Sequence, residues 1–362
     1  MHSDPNVVSS VLKWKSLLKA DPTGWLLEES NPSVRYLTLR DILEYPESDP
    51  DVARSKEAIA YSRIVTKIIQ KQSKLGTWES PTNLYTPKYK STYWQIMILG
   101  VLGMSKDDPR VKKACDVILR YQLKEGGFSS HAAGRANEEY RDLKRKGEAL
   151  GDRKNWMAEK TREHEYSCLT GNVVSALLRL GYTHDVQIER ALSWLVSIQN
   201  RDGGWLCPYW KAHIRDVHSC FYGTICALEA FSEAKRLSGA IRKAAERGAE
   251  FLLMHRLFKA DHHNFRIINR NWLKLSFPSF YGYDILRGLL VIGKLGYGGD
   301  ERCNDALSIL LAKQNARGRW ILESTPTGRM HASLETKRKE SKWMTLNAFR
   351  ALKWIYSTRQ ED

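Results

Sequence analysis

Apolar residues recur at helical spacing along most of the chain, and glycine-containing turns separate the helical segments. Between Val186 and Gln199 the apolar positions fall largely at helical spacing, which is typical of a helix with one buried face. The stretch from Asn200 to Gly204 then ends that helix, because its two glycines can adopt positive φ, and Trp205 is left to pack between neighbouring helices. The same alternation continues along the sequence, so we predict an all-α protein.

The periodicity predicts six helix pairs, each with an amphipathic outer helix and a more apolar inner helix. The predicted outer helices cover residues 7–19, 52–72, 109–122, 186–199, 241–257 and 303–314. The predicted inner helices cover residues 34–43, 91–102, 168–180, 219–231, 280–295 and 342–356. We predict a single domain spanning 1–362, in which six pairs suggest an α/α toroid with six inner and six outer helices.

Residues 129–165 interrupt this rhythm. The segment is highly charged and contains few apolar residues, so it cannot bury much surface. We predict a partly helical insertion over one rim of the helical body. A lid function and a plain solvated excursion are both open for it.

A short motif accompanies the turns between predicted helices. Gln199 is followed by Asn-Arg-Asp-Gly-Gly-Trp, which resembles the glutamine-tryptophan (QW) repeat of the squalene cyclase and protein prenyltransferase superfamily. Weaker copies are Gly76-Thr77-Trp78 after Gln72, Gly126-Gly127-Phe128 after Gln122, and Gly318-Arg319-Trp320 after Gln314. The resemblance implies a single closed barrel with parallel inner helices around a central cavity. An open solenoid of the same repeats is the alternative.

Parallel inner helices would bring all their N-termini to one rim. Helix N-termini carry unpaired amides and a partial positive charge, so this rim should attract anions. The candidate substrate-binding residues lie at or just before the inner-helix starts: Arg35, Tyr89, Lys90, Tyr93, Trp94, Asn172, Tyr222, Asp284 and Lys342. The alternative is that most of these aromatic residues only pack between helices.

Cysteine and histidine are concentrated between residues 168 and 220. Cys168, Cys207 and Cys220 are predicted to converge at one rim, and His218 can complete a zinc site, since thiolates and imidazoles are good zinc ligands. The spacings are not those of a zinc finger, and small buried cysteines without a chemical role are the alternative.

The candidate catalytic residues are His213, Asp216 and Tyr283. His213 can also serve as a metal ligand, and Asp216 can accept a proton or orient an imidazole. Tyr283 lies at the start of a predicted inner helix.

Several family motifs are missing from the sequence. In the protein prenyltransferases the zinc-binding Asp and Cys are two residues apart, whereas Asp216 and Cys220 are four apart. The sequence contains neither the DxDD motif of class II cyclases nor the aspartate-rich DDxxD motif. It also lacks GxSxG, HExxH and the phosphate-binding loop GxxxxGK[ST]. An ordinary squalene-type cyclase is therefore not predicted.

The composition determines the net charge of the protein and indicates its cellular compartment. Lysine and arginine number 57 against 41 acids, and the resulting +16 suits phosphate, carboxylate or nucleic-acid partners, although it is also compatible with a solvated basic surface. The six cysteines are irregularly spaced, the N-terminus does not read as a secretory leader, and no apolar run approaches the length of a membrane span. We therefore predict a cytoplasmic protein with reduced thiols and no transmembrane segment.

These patterns favour an enzyme that acts in a central cavity on an anionic, partly apolar substrate, isoprenoid-like or acyl-like, with zinc as its predicted cofactor. A metal-dependent transferase, lyase or hydrolase fits better than a DxDD cyclase. One alternative is a glycan-active or glycan-binding α/α barrel with aromatic platforms. Another is a basic scaffold that binds nucleic acid or protein, which ranks last because no nucleic-acid recognition motif is present. The oligomeric state is not predicted.

Overall fold

Helices account for the regular secondary structure in this computed structural model, which describes residues 14–131, 133–206 and 218–358. The α-helices are α1 (Thr23–Leu26), α2 (Pro32–Leu37), α3 (Pro50–Tyr61), α4 (Arg63–Ile69), α5 (Thr92–Val101), α6 (Pro109–Arg120), α7 (Ala133–Arg145), α8 (Arg153–Glu163), α9 (Ser167–Arg179), α10 (Val186–Ser197), α11 (Phe221–Glu233), α12 (Gly239–Met254), α13 (Ile285–Lys294), α14 (Asn304–Ala312) and α15 (Lys342–Thr358). Within the described ranges β-structure is limited to isolated bridges. The prediction of an all-helical protein is confirmed, while the closed toroid with six inner and six outer helices stays a prediction.

Contacts divide the chain into two compact units. The first takes in the described residues of Met1–Ser62, Ala245–Thr327 and Ser333–Asp362, and the second those of Arg63–Ala244 and Gly328–Ala332. Helices α1 to α3 and α13 to α15 lie in the first unit, and α4 to α11 lie in the second. The single domain expected from the repeats stays a prediction.

In the second unit, α9 packs between α5 and α11. Twelve of its thirteen residues are buried, as expected of a helix that is covered on all sides. Gly171 permits this packing, because a Cβ there would lie only 2.3 Å from the carbonyl oxygen of Cys226 in α11. A Cβ at Gly223 would likewise lie 3.1 Å from the Ser167 hydroxyl. From the Ser167–Gly223 contact to the Gly171–Cys226 contact, the residue numbers increase along both helices. Helices α9 and α11 are therefore parallel.

The outer helices of this unit bury one face only. In α6 the buried residues include Val111, Ala114 and Ile118, at helical spacing. The Asp108 side chain caps its N-terminus by accepting from the Arg110 amide, and Pro109 occupies the first turn. This amphipathic pattern is the one that the sequence predicted for an outer helix.

Each glutamine-containing turn of the second unit is closed by the same side-chain contacts. The Gln122 Nε2 donates to the carbonyl oxygens of Gly126 at 2.8 Å and Gln187 at 2.7 Å. Gln72 bonds in the same way to Gly76 and Arg110, and Gln199 to Gly203 and Ala244. The glutamine therefore closes its own turn and also binds the next outer helix.

A buried aromatic residue joins each turn to the inner helix that follows it. Trp205 is fully buried; its amide donates to the Thr224 hydroxyl at 3.0 Å and its indole nitrogen to the Leu195 carbonyl at 2.7 Å. The amides of Trp78, Phe128 and Trp320 donate to the hydroxyls of Thr92, Thr170 and Thr345, respectively. Four turns of the chain thus share one hydrogen-bond pattern, and each bond ends in the first turn or two of an inner helix.

The outer helix expected over 7–19 lies largely outside the described residues, and of its described part only residues 14 and 15 are helical. Three other predicted helices differ clearly from the observed ones. The outer helix expected over 52–72 is broken at Ser62, whose ψ of 146° lies outside the helical region. The inner helix expected over 34–43 ends at Leu37 and continues as a π-helical turn, Thr38–Ile42. The inner helix expected over 280–295 starts only at Ile285, because the Arg287 guanidinium binds the carbonyls of Phe280 and Gly282 and holds them in an irregular loop.

The first unit is centred on the packing of α13 against α15. Phe277 stacks on Trp343 with ring centroids 4.7 Å apart, and a Cβ at Gly293 would lie 3.1 Å from the Trp354 Cβ. The Arg350 guanidinium pairs with Asp41 in the π-helical turn. These contacts bind the C-terminal helix to the first helices of the chain.

Among the described residues, none of the helices combines the length and the apolar character needed to cross a bilayer.

We predict that Thr224→Val destabilises the protein by about 1–3 kcal/mol, because the buried Trp205 amide loses its acceptor. Valine keeps the shape of the threonine side chain, so the loss should report the hydrogen bond. The measurement is the free energy of unfolding in urea, followed by tryptophan fluorescence and by circular dichroism.

The matched control is Thr327→Val, at an exposed position. It should change the free energy of unfolding by less than about 0.5 kcal/mol. Equal effects of the two substitutions would show that the shared hydrogen bond does not stabilise the turn.

Candidate functional site

The residues before α5 form a tight aromatic turn in the second unit. Tyr89 has a φ of 67°, and its ring lies edge-on to Trp94 with centroids 4.9 Å apart. Gly328 lies against the Tyr89 ring, where a Cβ would come within 2.2 Å of it. The His331 Nε2 donates to the Lys90 carbonyl at 3.1 Å. Tyr89 and Lys90 are thus held in place by the segment that contains Gly328 and His331.

Two buried polar atoms near the start of α5 lack partners. The Tyr93 side chain is 1% exposed, and its hydroxyl has no hydrogen-bond partner among the described residues. Burial raises the pKa of Tyr93, so the phenol stays protonated. The Gln95 Nε2 donates to the Tyr89 carbonyl at 2.9 Å, whereas its Oε1 has no partner within the same ranges. Unpaired buried polar atoms are costly, which makes this region a candidate for a polar group of a ligand.

The other predicted substrate-binding residues of this unit also lie at helix starts. The Trp94 indole donates to the Tyr85 carbonyl at 2.8 Å. Asn172 is buried in the second turn of α9, and Tyr222 is half-buried at the start of α11. Because α5 and α11 both pack on α9, the structure brings these residues to neighbouring helices. Their roles in substrate binding stay predictions.

In the first unit, Arg35 and Lys342 are engaged within the protein. The Arg35 guanidinium binds the Ser55 hydroxyl at 3.0 Å and the Asp51 carboxylate at 3.2 Å, and thereby ties α2 to α3. The Lys342 ammonium pairs with the Glu28 carboxylate at 2.8 Å. Both contacts give these residues a structural role, and their predicted substrate contacts stay untested.

Tyr283 and Asp284 are buried before α13. The Tyr283 hydroxyl donates to the Leu257 carbonyl at 2.6 Å. The Asp284 carboxylate caps α13, accepting from the Arg287 amide and from the Ser276 amide, each at 2.9 Å. Burial raises the pKa of Asp284 to about 6 against the effect of these bonds. The catalytic role of Tyr283 and the substrate role of Asp284 stay predictions.

Two of the three predicted zinc-binding cysteines are described. Cys168 lies in the first turn of α9 and Cys220 caps α11, so both are buried at the same end of two parallel helices. The Ser167 hydroxyl donates to the carbonyl of Leu206, the last residue described before the gap, at 2.7 Å. His218 is exposed.

The remaining members of the predicted centre, Cys207, His213 and Asp216, lie outside the described residues. In the described part of the chain, histidine, cysteine and acidic side chains do not form a group of three that could hold a metal. Zinc therefore stays a prediction, and its ligand set depends on these three positions.

A cluster that sequence reasoning missed lies where the charged insertion leaves and rejoins the helical body. Ser129 and Glu165 form an antiparallel bridge, and the Ser130 amide donates to the His164 carbonyl at 3.1 Å. The His131 and His164 rings lie 3.6 Å apart, centroid to centroid. We name the group His131, His164 and Glu165 the neck cluster. The insertion contains two helices, α7 and α8, and its position over one rim stays a prediction.

Glu165 is the unusual member of the neck cluster. Its Oε1 is buried and has no hydrogen-bond partner within the described residues. Burial raises the pKa of Glu165 to about 7, and the Glu125 charge adds to this, while the Gly127 amide and Arg162 oppose it. A carboxyl group that still holds its proton close to neutral pH is suited to acid–base chemistry.

His131 is neutral in the same cluster. Its Nε2 lies 3.1 Å from the Glu139 carboxylate of α7. Burial, followed by the charges of His164, Arg135 and Lys160, lowers the pKa of His131 to about 3. The neck cluster thus combines an uncharged imidazole with a carboxyl group that is largely protonated below pH 7.

One sequence signal pointed to this cluster. His131 and His164 stand at the two ends of the insertion, and Glu165 directly precedes α9. Most of the candidate residues predicted at the helix starts are aromatic or basic, and Glu165 was not among them. The burial of Glu165 depends on Gly127, which is distant in sequence, and this contact was not visible.

Comparison with known proteins gives no family. No family model matches the chain, and no curated protein matches it. A solved structure of a protein from Actinoplanes is 14% identical over 96% of this chain and 99% of that chain, with a TM-score of 0.44. A variant of the type II terpene cyclase MstE from Scytonema, in complex with its product merosterolic acid A, is 14% identical over 98% of both chains, with a TM-score of 0.43. Similarity at this level assigns neither family nor activity, which must be argued from the chain's own side chains.

We predict that Glu165→Gln changes the pH dependence of stability. The folded state binds this proton more tightly than the unfolded chain, so ionisation of Glu165 destabilises the fold as the pH rises from about 4.5 to about 7. The cost is absent below this window and fully present above it. Glutamine cannot ionise, so the free energy of unfolding of the variant should rise relative to wild type between pH 5 and pH 8.

Glu159→Gln, at an exposed position of α8, is the control and should give a difference that is flat with pH. Urea unfolding at half-unit pH steps measures both differences. A flat difference for Glu165→Gln as well would mean that the carboxyl group titrates normally.

Proposed function

We propose that the protein is an enzyme that transfers, eliminates or hydrolyses a group on an anionic, partly apolar substrate, with Glu165 as the general acid. The observation that carries this proposal is the buried Oε1 of Glu165, which has no partner among the described residues while the carboxyl pKa is raised to about 7. The isoprenoid-like or acyl-like nature of the substrate is the expectation from the sequence resemblance.

The direction of the pKa shift favours one kind of chemistry. Protonating an alkene carbon requires a strong acid, whereas burial has made Glu165 a weaker acid than an ordinary carboxyl group. A weak acid that is still protonated near pH 7 can protonate an oxygen as it leaves. In that step the bond between the leaving oxygen and the substrate breaks, the oxygen keeps the bonding electron pair, and it takes the proton from the Glu165 carboxyl group. The electron-poor centre left on the substrate is captured by water or an acceptor, or loses a proton, and Glu165 is later reprotonated from water.

Nearby groups suit a substrate with an apolar body and a polar end. The Tyr93 and Phe128 rings lie 6.3 Å apart, centroid to centroid, and Phe128 follows Gly127, against which the Glu165 carboxyl packs. The Tyr93 hydroxyl is a buried donor with no partner among the described residues. The N-terminus of α9, next to Glu165, favours a negative charge. We propose that Tyr93 and Asn172 orient the substrate at this end of α9.

The test is turnover of a panel of isoprenoid diphosphates, prenyl esters and acyl oxygen esters, with products detected by mass spectrometry. For any substrate that is turned over, Glu165→Gln should lower kcat by about 10²–10⁴-fold, because the acid is lost while the shape is kept. Wild-type kcat should fall as the pH rises through about 7.

Glu159→Gln is again the matched control and should retain wild-type kcat. Circular dichroism establishes that each variant is folded. Full activity of folded Glu165→Gln would refute the role of Glu165, and absence of turnover across the panel would refute the substrate class.

We also propose that Cys168 and Cys220 contribute to a zinc site. This proposal is supported by the burial of both cysteines at the same end of the parallel helices α9 and α11. Two thiolates do not fill a zinc site, so the other ligands would come from Cys207, His213, His218 or Asp216. Bound zinc would act as a Lewis acid or activate water, and the proton transfer from Glu165 does not depend on it.

Metal analysis tests this second proposal. We expect about one zinc ion per chain in protein purified without chelator, and loss of most of it in Cys168→Ser and Cys220→Ser. Cys115→Ser is the control, because Cys115 is buried in α6 and burial raises the pKa of its thiol to about 12. Protein that neither contains zinc nor binds it on reconstitution would refute the zinc site.

A further inference from the structure

We propose that the insertion carries a binding pocket for an oligophosphate group, separate from the neck cluster. The pocket lies between α7 and α8 and is lined by Tyr140, Arg141, Lys144, Arg145 and Arg153. It is an open groove of about 430 Å³ rather than an enclosed cavity, and its cationic side chains are exposed. Four of the five lining residues are cationic and none is acidic, so its chemistry selects an anion.

Tyr140 holds the two walls of the pocket together. Its hydroxyl donates to the Gly151 carbonyl at 3.1 Å, and its ring lies edge-on to Trp156 of α8 with centroids 5.4 Å apart. The Arg153 guanidinium also binds the Asn137 side-chain oxygen on α7. These contacts link α7, the connecting loop and α8, so the pocket is formed by the packing of the insertion itself.

The cations on α7 repel one another. Arg141 and Arg145 are four residues apart, a spacing at which like charges on a helix destabilise it. Arg145 pairs with Asp142, but Arg141 and Lys144 make no ion pair with any described residue. Lys144 and Arg145 lie in the last turn of α7, where the helix dipole favours cations. That explanation does not extend to Arg141, one turn earlier.

Arg153 lies at the N-terminal end of α8, whereas Lys144 and Arg145 lie at the C-terminal end of α7. It is the first residue of α8, where a partial positive charge disfavours a cation and favours an anion. The neighbouring Asp152 is already engaged as the N-cap and accepts from the Asn155 amide at 2.9 Å. Arg141 and Arg153 are therefore the two residues whose positions are best explained by a bound anion.

The arrangement fits phosphate better than carboxylate. Guanidinium groups bind phosphate oxygens with two parallel hydrogen bonds, and three arginines in one pocket offer several such pairs. A single carboxylate carries one charge and would leave most of these donors unused. A diphosphate or longer oligophosphate supplies both the charge and the acceptors, either as a free small molecule or as a lipid headgroup.

The test is calorimetric titration of the full-length protein with inorganic pyrophosphate at low salt. We expect saturable binding, at least 10-fold weaker in Arg141→Gln and in Arg153→Gln, and weaker in wild type as salt is raised. Vesicles containing a polyphosphoinositide are the second probe. If the protein binds these vesicles as well as pyrophosphate, the phosphate groups that it recognises belong to a lipid headgroup.

Lys146→Gln is the matched control, because Lys146 is an exposed cation of the insertion that does not line the pocket. Its affinity for pyrophosphate should equal that of wild type. No saturable pyrophosphate binding, or equal weakening by Lys146→Gln, would overturn the proposal. The result does not involve Glu165, so it stands or falls separately from the proposed activity.

Discussion

The stability of the second unit depends on hydrogen bonds to a large aromatic residue that is buried at each turn. These bonds leave none of that residue's N–H groups without a partner. Trp205 is fully buried, yet its amide binds the Thr224 hydroxyl and its indole nitrogen binds the Leu195 carbonyl. One residue, through its amide and its indole, therefore joins the end of α10, the turn and the start of α11. A buried donor without an acceptor would cost roughly as much as several favourable contacts provide, so the threonine is as necessary as the tryptophan.

The same turns also determine which side chains can pack just before the inner helices. The second glycine of a turn lies against the residue two positions before the next inner helix: Gly204 against Ser219 and Gly127 against Glu165. A Cβ at Gly127 would come within 2.1 Å of the Glu165 carboxyl oxygen. The glycine leaves room for a carboxyl group at the start of α9 and removes water from it at the same time. Burial raises the pKa of Glu165, although the Gly127 amide of the same turn opposes the rise.

The sequence predicted the helices well where their boundaries are determined locally, as at Asp108 and Asp185, which cap α6 and α10. The prediction was wrong where residues distant in sequence determine the helix boundary. The loop before α13 is held by Arg287, whose guanidinium binds carbonyls that periodicity assigned to the helix. The candidate site shows the same limit, because Cys168 and Cys220 were found from their positions in the repeat, whereas the burial of Glu165 depends on a turn nearly forty residues away.

The electrostatics of the neck cluster follow from its burial. His131 is neutral, and Glu165 is largely protonated below pH 7, so two buried ionisable groups carry almost no charge between them. An ionised Glu165 would need hydrogen-bond donors to offset its loss of hydration, and its Oε1 has none among the described residues. Loss of the Glu165 proton is therefore less favourable than for an ordinary carboxyl group, and it occurs only as the pH approaches about 7. A group with this behaviour can donate a proton repeatedly near neutral pH, whereas a carboxylate held by a strong ion pair cannot.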